Sequence, residues 1–231
     1  MAFREGRSNR LFSTRPGPGQ VQQGLPGEPE PMRYRGCSPF SLGLDLPLFM
    51  VNLIIQHALQ SGLMRAQAAL RAINAIQNGT ASADQTAALE AHFGPNLTSR
   101  NIEALRVRYR RIVARLRQMD QNDMIVCNTE QSVYCNGVAF RDRIGACAFT
   151  DCGTTSEATH LCPAAFHDQC GEDLPSIMIH EAARSAVVCA NAVSEATRPD
   201  EPGYPPQQPL VAVQNVFAYE FFASDSRLHG L

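Results

Sequence analysis

Lysine and tryptophan are both absent from this chain. Because there is no lysine, all twenty of the residues counted as lysine or arginine are arginine. A genome rich in G and C favours arginine, alanine, glycine and proline together, which is one interpretation of the imbalance. A second interpretation is avoidance of ubiquitination in a eukaryotic host cytosol. The formal net charge of −2 argues against a general nucleic-acid-binding protein, for which we expect a basic domain.

Two kinds of apolar segment are also missing. No stretch approaches the roughly 18 uninterrupted apolar residues of a membrane-spanning helix, so we predict no membrane span. The longest apolar segment, residues 46–55, is interrupted by Pro47 and Asn52 and predicts the start of a packed helix. Residues 1–23 contain arginines but no apolar core of about 7 to 15 residues, so they do not resemble a secretory signal peptide.

Cysteine, in contrast, is abundant and clustered. Of the eight cysteines, all except Cys37 fall between Cys127 and Cys189. Their spacings do not match the paired C-x2-C segments of a structural zinc site, so this density predicts a disulfide framework and an extracellular or exported protein. Spacing does not reveal the connectivity, and Cys37 either pairs with one of the other seven or leaves a free thiol.

Composition divides the chain into three regions. Residues 1–40 are rich in proline, glycine, glutamine and arginine and predict an extended or disordered N-terminal arm. This arm is either a simple tail or a docking segment for a secretion apparatus or a larger assembly. Residues 41–122 predict a helical region, and residues 123–231 predict a separate domain that contains the candidate site.

The periodicity of apolar residues predicts a mostly helical α+β fold. In the helical region, residues 41–122, we expect helices over 46–77, 82–93 and 98–119, with Ser82 capping the second and Thr98 or Ser99 the third. Short β-prone runs at 124–127 and 132–135 predict a small sheet. Two more helices are expected over 173–195 and 209–224.

The main candidate motif lies on the first of these last two helices. His180 and Glu181 begin an H-E-x-x-H pattern in which Arg184 replaces the second histidine. Residues four apart on a helix share a face, so two such imidazoles can bind one zinc ion. Zinc lowers the pKa of its bound water from about 15.7 to about 7, and the glutamate takes the proton. A guanidinium has no lone pair to offer a metal.

The surrounding segments resemble the aspzincin family of zinc metalloendopeptidases, which includes deuterolysin and the peptidyl-lysine metallopeptidases. The resemblance covers about residues 124–225. Its matching elements, in chain order, are Leu161-Cys162-Pro163, the Ile179-His180-Glu181 helix, and Asn215, Tyr219, Phe222 and Ala223.

The resemblance implies a zincin-like core with a small sheet and places functional roles on particular residues. His180 and Asp200 are its zinc ligands, Glu181 is its general base, and Tyr204 stabilises the oxyanion. Asp200 also has an ordinary interpretation as a turn residue in a proline-rich loop. We expect Tyr219 to pack in the core, because the residues around it are apolar.

Two functional hypotheses follow. In the first, the domain has impaired or lost zinc-dependent peptide hydrolysis and acts as a binding or structural module for a protein or peptide, without a cofactor. Arg184 then pairs with Asp200 or Glu181 in place of the metal. In the second, the protein is an active zinc metalloendopeptidase with a replacement ligand such as His160 or His167, and export as an effector is compatible with this hypothesis. The missing imidazole favours the first hypothesis.

Overall fold

Four helices form the helical region, with the caps that the sequence predicts at Ser82 and Thr98. The computed structural model describes residues 33–121, 124–132, 135, 147–150, 158–167, 169–185, 202–205, 211 and 213–229. The helices are α1 (Pro39–Leu42), α2 (Leu48–Gln77), α3 (Ala83–Phe93) and α4 (Ser99–Gln121). The Ser82 side chain accepts a hydrogen bond from the Gln85 amide at the start of α3, and Thr98 accepts one from the Asn101 amide at the start of α4. These bonds satisfy amides that have no partner within the helix.

A small sheet follows the helices. Its strands are β1 (Ile125–Cys127), β2 (Ala148–Thr150) and β3 (Thr159–Leu161), in the order β1-β3-β2. β3 runs parallel to β1 and antiparallel to β2. The first predicted strand is confirmed, but the second is wrong at its ends, because Ser132 and Cys135 lie in turns; residues 133 and 134 are outside the described residues.

Two further helices complete the described α+β fold, α5 (Leu174–Ala183) and α6 (Val216–Ser224). The Asp173 side chain caps α5 by accepting a hydrogen bond from the Ser176 amide. The helix predicted over 209–224 is interrupted, because Val211 is helical but Val213 and Gln214 form a turn. The Asn215 side chain accepts a hydrogen bond from the Phe217 amide and caps α6, so α6 itself begins after residue 215. Residues 209 and 210 lie outside the described residues.

The core lies where helices α2, α3 and α4 meet α5 and α6. α2 packs on α4 and α5, and α5 packs on α6. Gly62 allows the close approach of α2 to α5, since a Cβ atom there would lie 3.1 Å from the Pro175 carbonyl oxygen. Residues 32–231 accordingly form one unit, in which the helical region and the region of the candidate site share a core.

An aromatic cluster ties α6 to α3 and α4. The Tyr219 ring centroid lies 5.2 Å from that of Phe93 and 5.3 Å from that of Tyr109. The Tyr109 hydroxyl also donates a 2.7 Å hydrogen bond to the Tyr219 carbonyl oxygen. Tyr219 has no exposed surface, so the prediction that it packs in the core is confirmed.

Three disulfides cross-link the described chain, as the cysteine density predicts. They join Cys37 to Cys127, Cys135 to Cys162, and Cys147 to Cys170. Cys37 therefore pairs into the cysteine cluster and ties the start of the helical region to β1. Cys152 and Cys189 lie outside the described residues.

Within the ranges that the structure describes, we find no helix with the length and apolarity needed to cross a lipid bilayer.

The three disulfides close loops of different length, which predicts different contributions to stability. The Cys37–Cys127 bridge spans 90 residues and the Cys135–Cys162 bridge spans 27. Loop-closure entropy assigns about 4.5 kcal/mol to the first and about 3.5 kcal/mol to the second. We expect a Cys37→Ser/Cys127→Ser variant to lose more unfolding free energy in urea than a Cys135→Ser/Cys162→Ser control. An equal or smaller loss would contradict the loop-length argument.

Candidate functional site

His180 is held by a carboxylate from the neighbouring helix. Its Nδ1 atom lies 2.9 Å from Oε2 of Glu220 on α6, and the two side chains are 12% and 1% exposed. The Phe217 ring lies against the imidazole, with 4.8 Å between ring centroids. The imidazole therefore has a fixed orientation in a nearly dry environment.

Two opposing effects act on the charges of this pair. Burial by itself lowers the pKa of His180, but the hydrogen bond and charge of Glu220, with the charges of Glu181 and Glu172, raise it overall. Burial raises the pKa of Glu220 against the opposing effect of His180, and the nearby Glu172 carboxyl raises it further. The carboxyl groups around His180 thus favour its protonated form, and both members of the pair hold their protons to higher pH than in water.

Glu181 follows His180 on α5 and is also buried, with 3% of its surface exposed. In the part of the chain that the structure describes, its Oε2 atom has no hydrogen-bond partner. Its backbone carbonyl accepts a 3.4 Å bond from the Thr150 hydroxyl, which connects α5 to the sheet. The residue predicted as a general base therefore follows His180 directly, and one of its carboxylate oxygens accepts no hydrogen bond from the described residues.

Arg184, at the position of the missing imidazole, lies against the sheet. Its guanidinium carbon is 5.4 Å from the centroid of the Phe149 ring on β2, an arrangement that attracts the cation to the ring face. Among the described residues no ion pair joins Arg184 to Glu181. Of the two alternatives predicted for Arg184, pairing with Glu181 is thus not found there. Asp200, the other predicted partner, lies outside the described residues.

The described residues do not fit a zinc site with three protein ligands. Where the second imidazole should stand, Arg184 offers a cation without a lone pair. No group of three or more histidine, cysteine, aspartate or glutamate side chains in the described ranges is arranged to hold a metal ion. Of the two predicted ligands, His180 and Asp200, only His180 lies in the described residues.

Tyr204 is bound to a second imidazole that the sequence analysis did not single out. Its hydroxyl lies 2.9 Å from Nδ1 of His92, at the end of α3, and Nε2 of His92 lies 3.0 Å from Oδ2 of Asp225. Arg227 holds the same Asp225 carboxylate through both of its oxygens. These four side chains form a hydroxyl–imidazole–carboxylate–guanidinium chain.

The pKa shifts fix the direction of the hydrogen bonds in this chain. Burial by itself raises the pKa of Asp225, but the Arg227 guanidinium and His92 lower it to about 2, so this carboxylate only accepts. Burial lowers the pKa of His92 despite the Asp225 charge, so the imidazole is neutral and its proton is on Nε2. Nδ1 then carries a lone pair and accepts the proton of Tyr204.

Tyr204 lies within range of the Glu220 charge. Burial raises the pKa of Tyr204, and the carboxylates of Glu220 and Asp225 raise it further. Its hydroxyl thus keeps its proton and donates it to His92. An oxyanion needs a donor aimed at it, and in this arrangement the Tyr204 proton is committed to His92.

The two histidines considered as replacement ligands both make framework hydrogen bonds. His160 lies on β3, where its Nδ1 atom is 3.1 Å from the Asn128 side-chain nitrogen. The Nε2 atom of His167 lies 3.0 Å from the Leu42 carbonyl oxygen and donates to it. The first bond connects β3 to the turn after β1, and the second connects the segment after β3 to α1.

Glu220 and His92 are the two residues of this site that the sequence analysis missed. Glu220 is the one charged residue of α6, whose other residues are apolar except for Tyr219 and Ser224. A lone carboxylate in such a helix indicates a buried partner, so this signal was available. His92 had no comparable signal, since its partners lie more than 100 residues away in sequence.

Comparison with known proteins found no matching family model, no matching curated protein and no matching solved structure.

The His180–Glu220 pair predicts a pH-dependent stability. The folded pKa of His180 lies above 6.5 and that of Glu220 above 4.5, so the folded chain binds more protons than the unfolded chain. The stability that both groups contribute is therefore complete at low pH and is lost as pH rises through their folded pKa values. We expect Glu220→Gln to cost about 1.5–3 kcal/mol at about pH 6 and less at about pH 8, measured by urea unfolding.

The matched control is Glu103→Gln, which removes an exposed carboxylate bonded to Arg106 on α4. It should leave stability nearly unchanged at both pH values, because exposed pairs contribute little. A Glu220→Gln penalty that is independent of pH would show that the pair does not bind protons as described.

Proposed function

We propose that this chain is a divergent aspzincin-like domain with a zincin-like core, in which zinc-dependent peptide hydrolysis is impaired or lost. It acts as a binding or structural module for a protein or peptide. The observation that carries the proposal is the position of Arg184, stacked on Phe149 where the resemblance requires an imidazole. Loss of an outer partner of a metal ligand typically costs about 10- to 100-fold in metal affinity, and loss of a direct ligand costs more.

The bonding of Tyr204 supports the same conclusion. Its hydroxyl is bonded to His92, whereas a peptidase keeps a hydroxyl that stabilises an oxyanion free to donate to the substrate. Here this bond ties the 202–205 segment to α3, and the His180–Glu220 pair ties α5 to α6, as in a scaffold for binding.

One observation favours the alternative, an active zinc metalloendopeptidase with a replacement ligand. A histidine that binds a metal through one ring nitrogen usually donates from the other nitrogen to a carboxylate. Glu220 holds His180 through Nδ1, and in the described residues no hydrogen bond reaches its Nε2 atom. This geometry leaves His180 able to serve as one metal ligand.

Three disulfides among the described residues are compatible with an oxidising destination. We therefore propose that the protein is extracellular or exported. An exported effector is compatible with either form of the proposal, and docking of residues 1–40 to a secretion apparatus or larger assembly belongs to the same proposal.

The proposal predicts the effect of restoring the missing imidazole. We expect the unmodified protein, purified without chelator, to contain no stoichiometric zinc and to leave casein intact. An Arg184→His variant should bind zinc, because it restores two histidines four residues apart on α5. Zinc is measured by elemental mass spectrometry and cleavage by release of casein fragments.

The matched control is Arg184→Gln, which removes the cation without adding an imidazole. Adding Glu181→Gln to Arg184→His should keep zinc but abolish any cleavage, since the base is then removed. Stoichiometric zinc together with casein cleavage in the unmodified protein would overturn the proposal and support the active peptidase.

A further inference from the structure

The hydrogen-bond chain through His92 contains one link whose direction can change. At one end, Arg227 binds the Asp225 carboxylate through its side chain and donates its backbone amide to Oδ1 at 2.9 Å. The carboxylate is therefore always an acceptor, and Nε2 of His92 always donates to it, at 3.0 Å. Only Nδ1 of His92, 2.9 Å from the Tyr204 hydroxyl, changes between acceptor and donor with the charge of the imidazole.

A change in the charge of His92 reverses this link. A neutral imidazole with its proton on Nε2 accepts the Tyr204 proton at Nδ1, whereas an imidazolium donates from both nitrogens. The Tyr204 hydroxyl then accepts from His92, and its own proton has to find another acceptor. The oxygen and nitrogen atoms need not move, because a phenol hydroxyl both donates and accepts and its hydrogen rotates about the C–O bond.

The surroundings of His92 place this change at acidic pH. Burial and the charge of Arg227 lower the pKa of His92, the hydrogen bond and charge of Asp225 raise it, and the net pKa lies below 6.5. Tyr204 faces the imidazole with a protonated hydroxyl, and Asp84 of α3 acts on Arg227 through its charge. The His92 side chain is 15% exposed, so protons can reach it from solvent.

Negative charge and solvent are both available to the Tyr204 proton. The charge of Glu220 acts on the Tyr204 hydroxyl alongside that of Asp225. Negative charge of this kind attracts a proton that His92 no longer accepts. Tyr204 is also partly exposed, so water or an oxygen atom of a ligand can accept the proton as well.

We propose that His92 is a pH switch for Tyr204, in which protonation of the imidazole reverses the Tyr204–His92 hydrogen bond and releases the tyrosine proton to other acceptors. At neutral pH the hydroxyl is committed to His92, and in acid it becomes a donor that a ligand can use. Histidine titration near neutral pH is a common basis for such switches. The switch needs no metal, so it does not depend on the proposed loss of peptidase activity.

Nuclear magnetic resonance of the full chain tests both halves of the switch. Ring nitrogen-15 signals report the protonation of His92, and the carbon-13 signal of the Tyr204 Cζ atom reports the direction of its hydrogen bond. We expect His92 to carry its proton on Nε2 at neutral pH and to become doubly protonated below pH 6.5. The Tyr204 signal should shift in one step with the same midpoint. Tyr109, which donates to the Tyr219 carbonyl, is the internal control and should show no step.

Two variants separate the switch from general effects of acid. In His92→Gln the side chain cannot take up a proton, so the Tyr204 step should disappear. Arg227→Gln removes a cation that opposes protonation of His92, so the midpoint of both signals should move to higher pH. Arg117→Gln, at an exposed position on α4, is the matched control and should leave the midpoint unchanged. Circular dichroism confirms that each variant is folded.

The proposal is overturned if His92 stays neutral until the chain unfolds in acid, or if the Tyr204 step persists in His92→Gln. It is also overturned if protonation speeds hydrogen exchange at the Tyr204 amide, because the 202–205 segment would then leave His92 instead of reversing its bond. The titrations of His92, Tyr204 and Tyr109 in the unmodified chain require no variant, so they decide the question even if His92→Gln fails to fold.

Discussion

The rest of the described structure depends on how one buried carboxylate is neutralised. Glu220 sits in the apolar helix α6 with 1% of its surface exposed, where an unpaired charge would be prohibitively costly. His180 of α5 meets it at 2.9 Å. This pair sets the position of α5 against α6, and α5 in turn contacts α2, α4 and the sheet. The same pair determines the state of the candidate site, because it fixes the imidazole that the resemblance assigns to zinc.

A second constraint acts at the other end of α6. Asp225, just beyond the helix, binds Arg227 and His92, and His92 binds Tyr204. α6 therefore carries a carboxylate for each of two imidazoles, one from α5 and one from α3. These hydrogen bonds hold α6 against α5 and α3.

The sequence by itself determined the features that depend on local interactions. Helices α2, α3 and α4 follow from apolar periodicity and from the caps at Ser82 and Thr98, which involve residues three apart. The arginine four residues after His180 is likewise read directly from the sequence, and cysteine density was enough to predict disulfides. Only the tertiary structure decided the partners of the site residues. His180 and Glu220 are 40 residues apart, and Tyr204 is 112 residues from His92. Such contacts arise from the packing of whole helices, and no periodicity or capping pattern within one segment encodes them. The strands of the sheet are three residues long, too short for a periodic signal, so their pairing also depended on the fold.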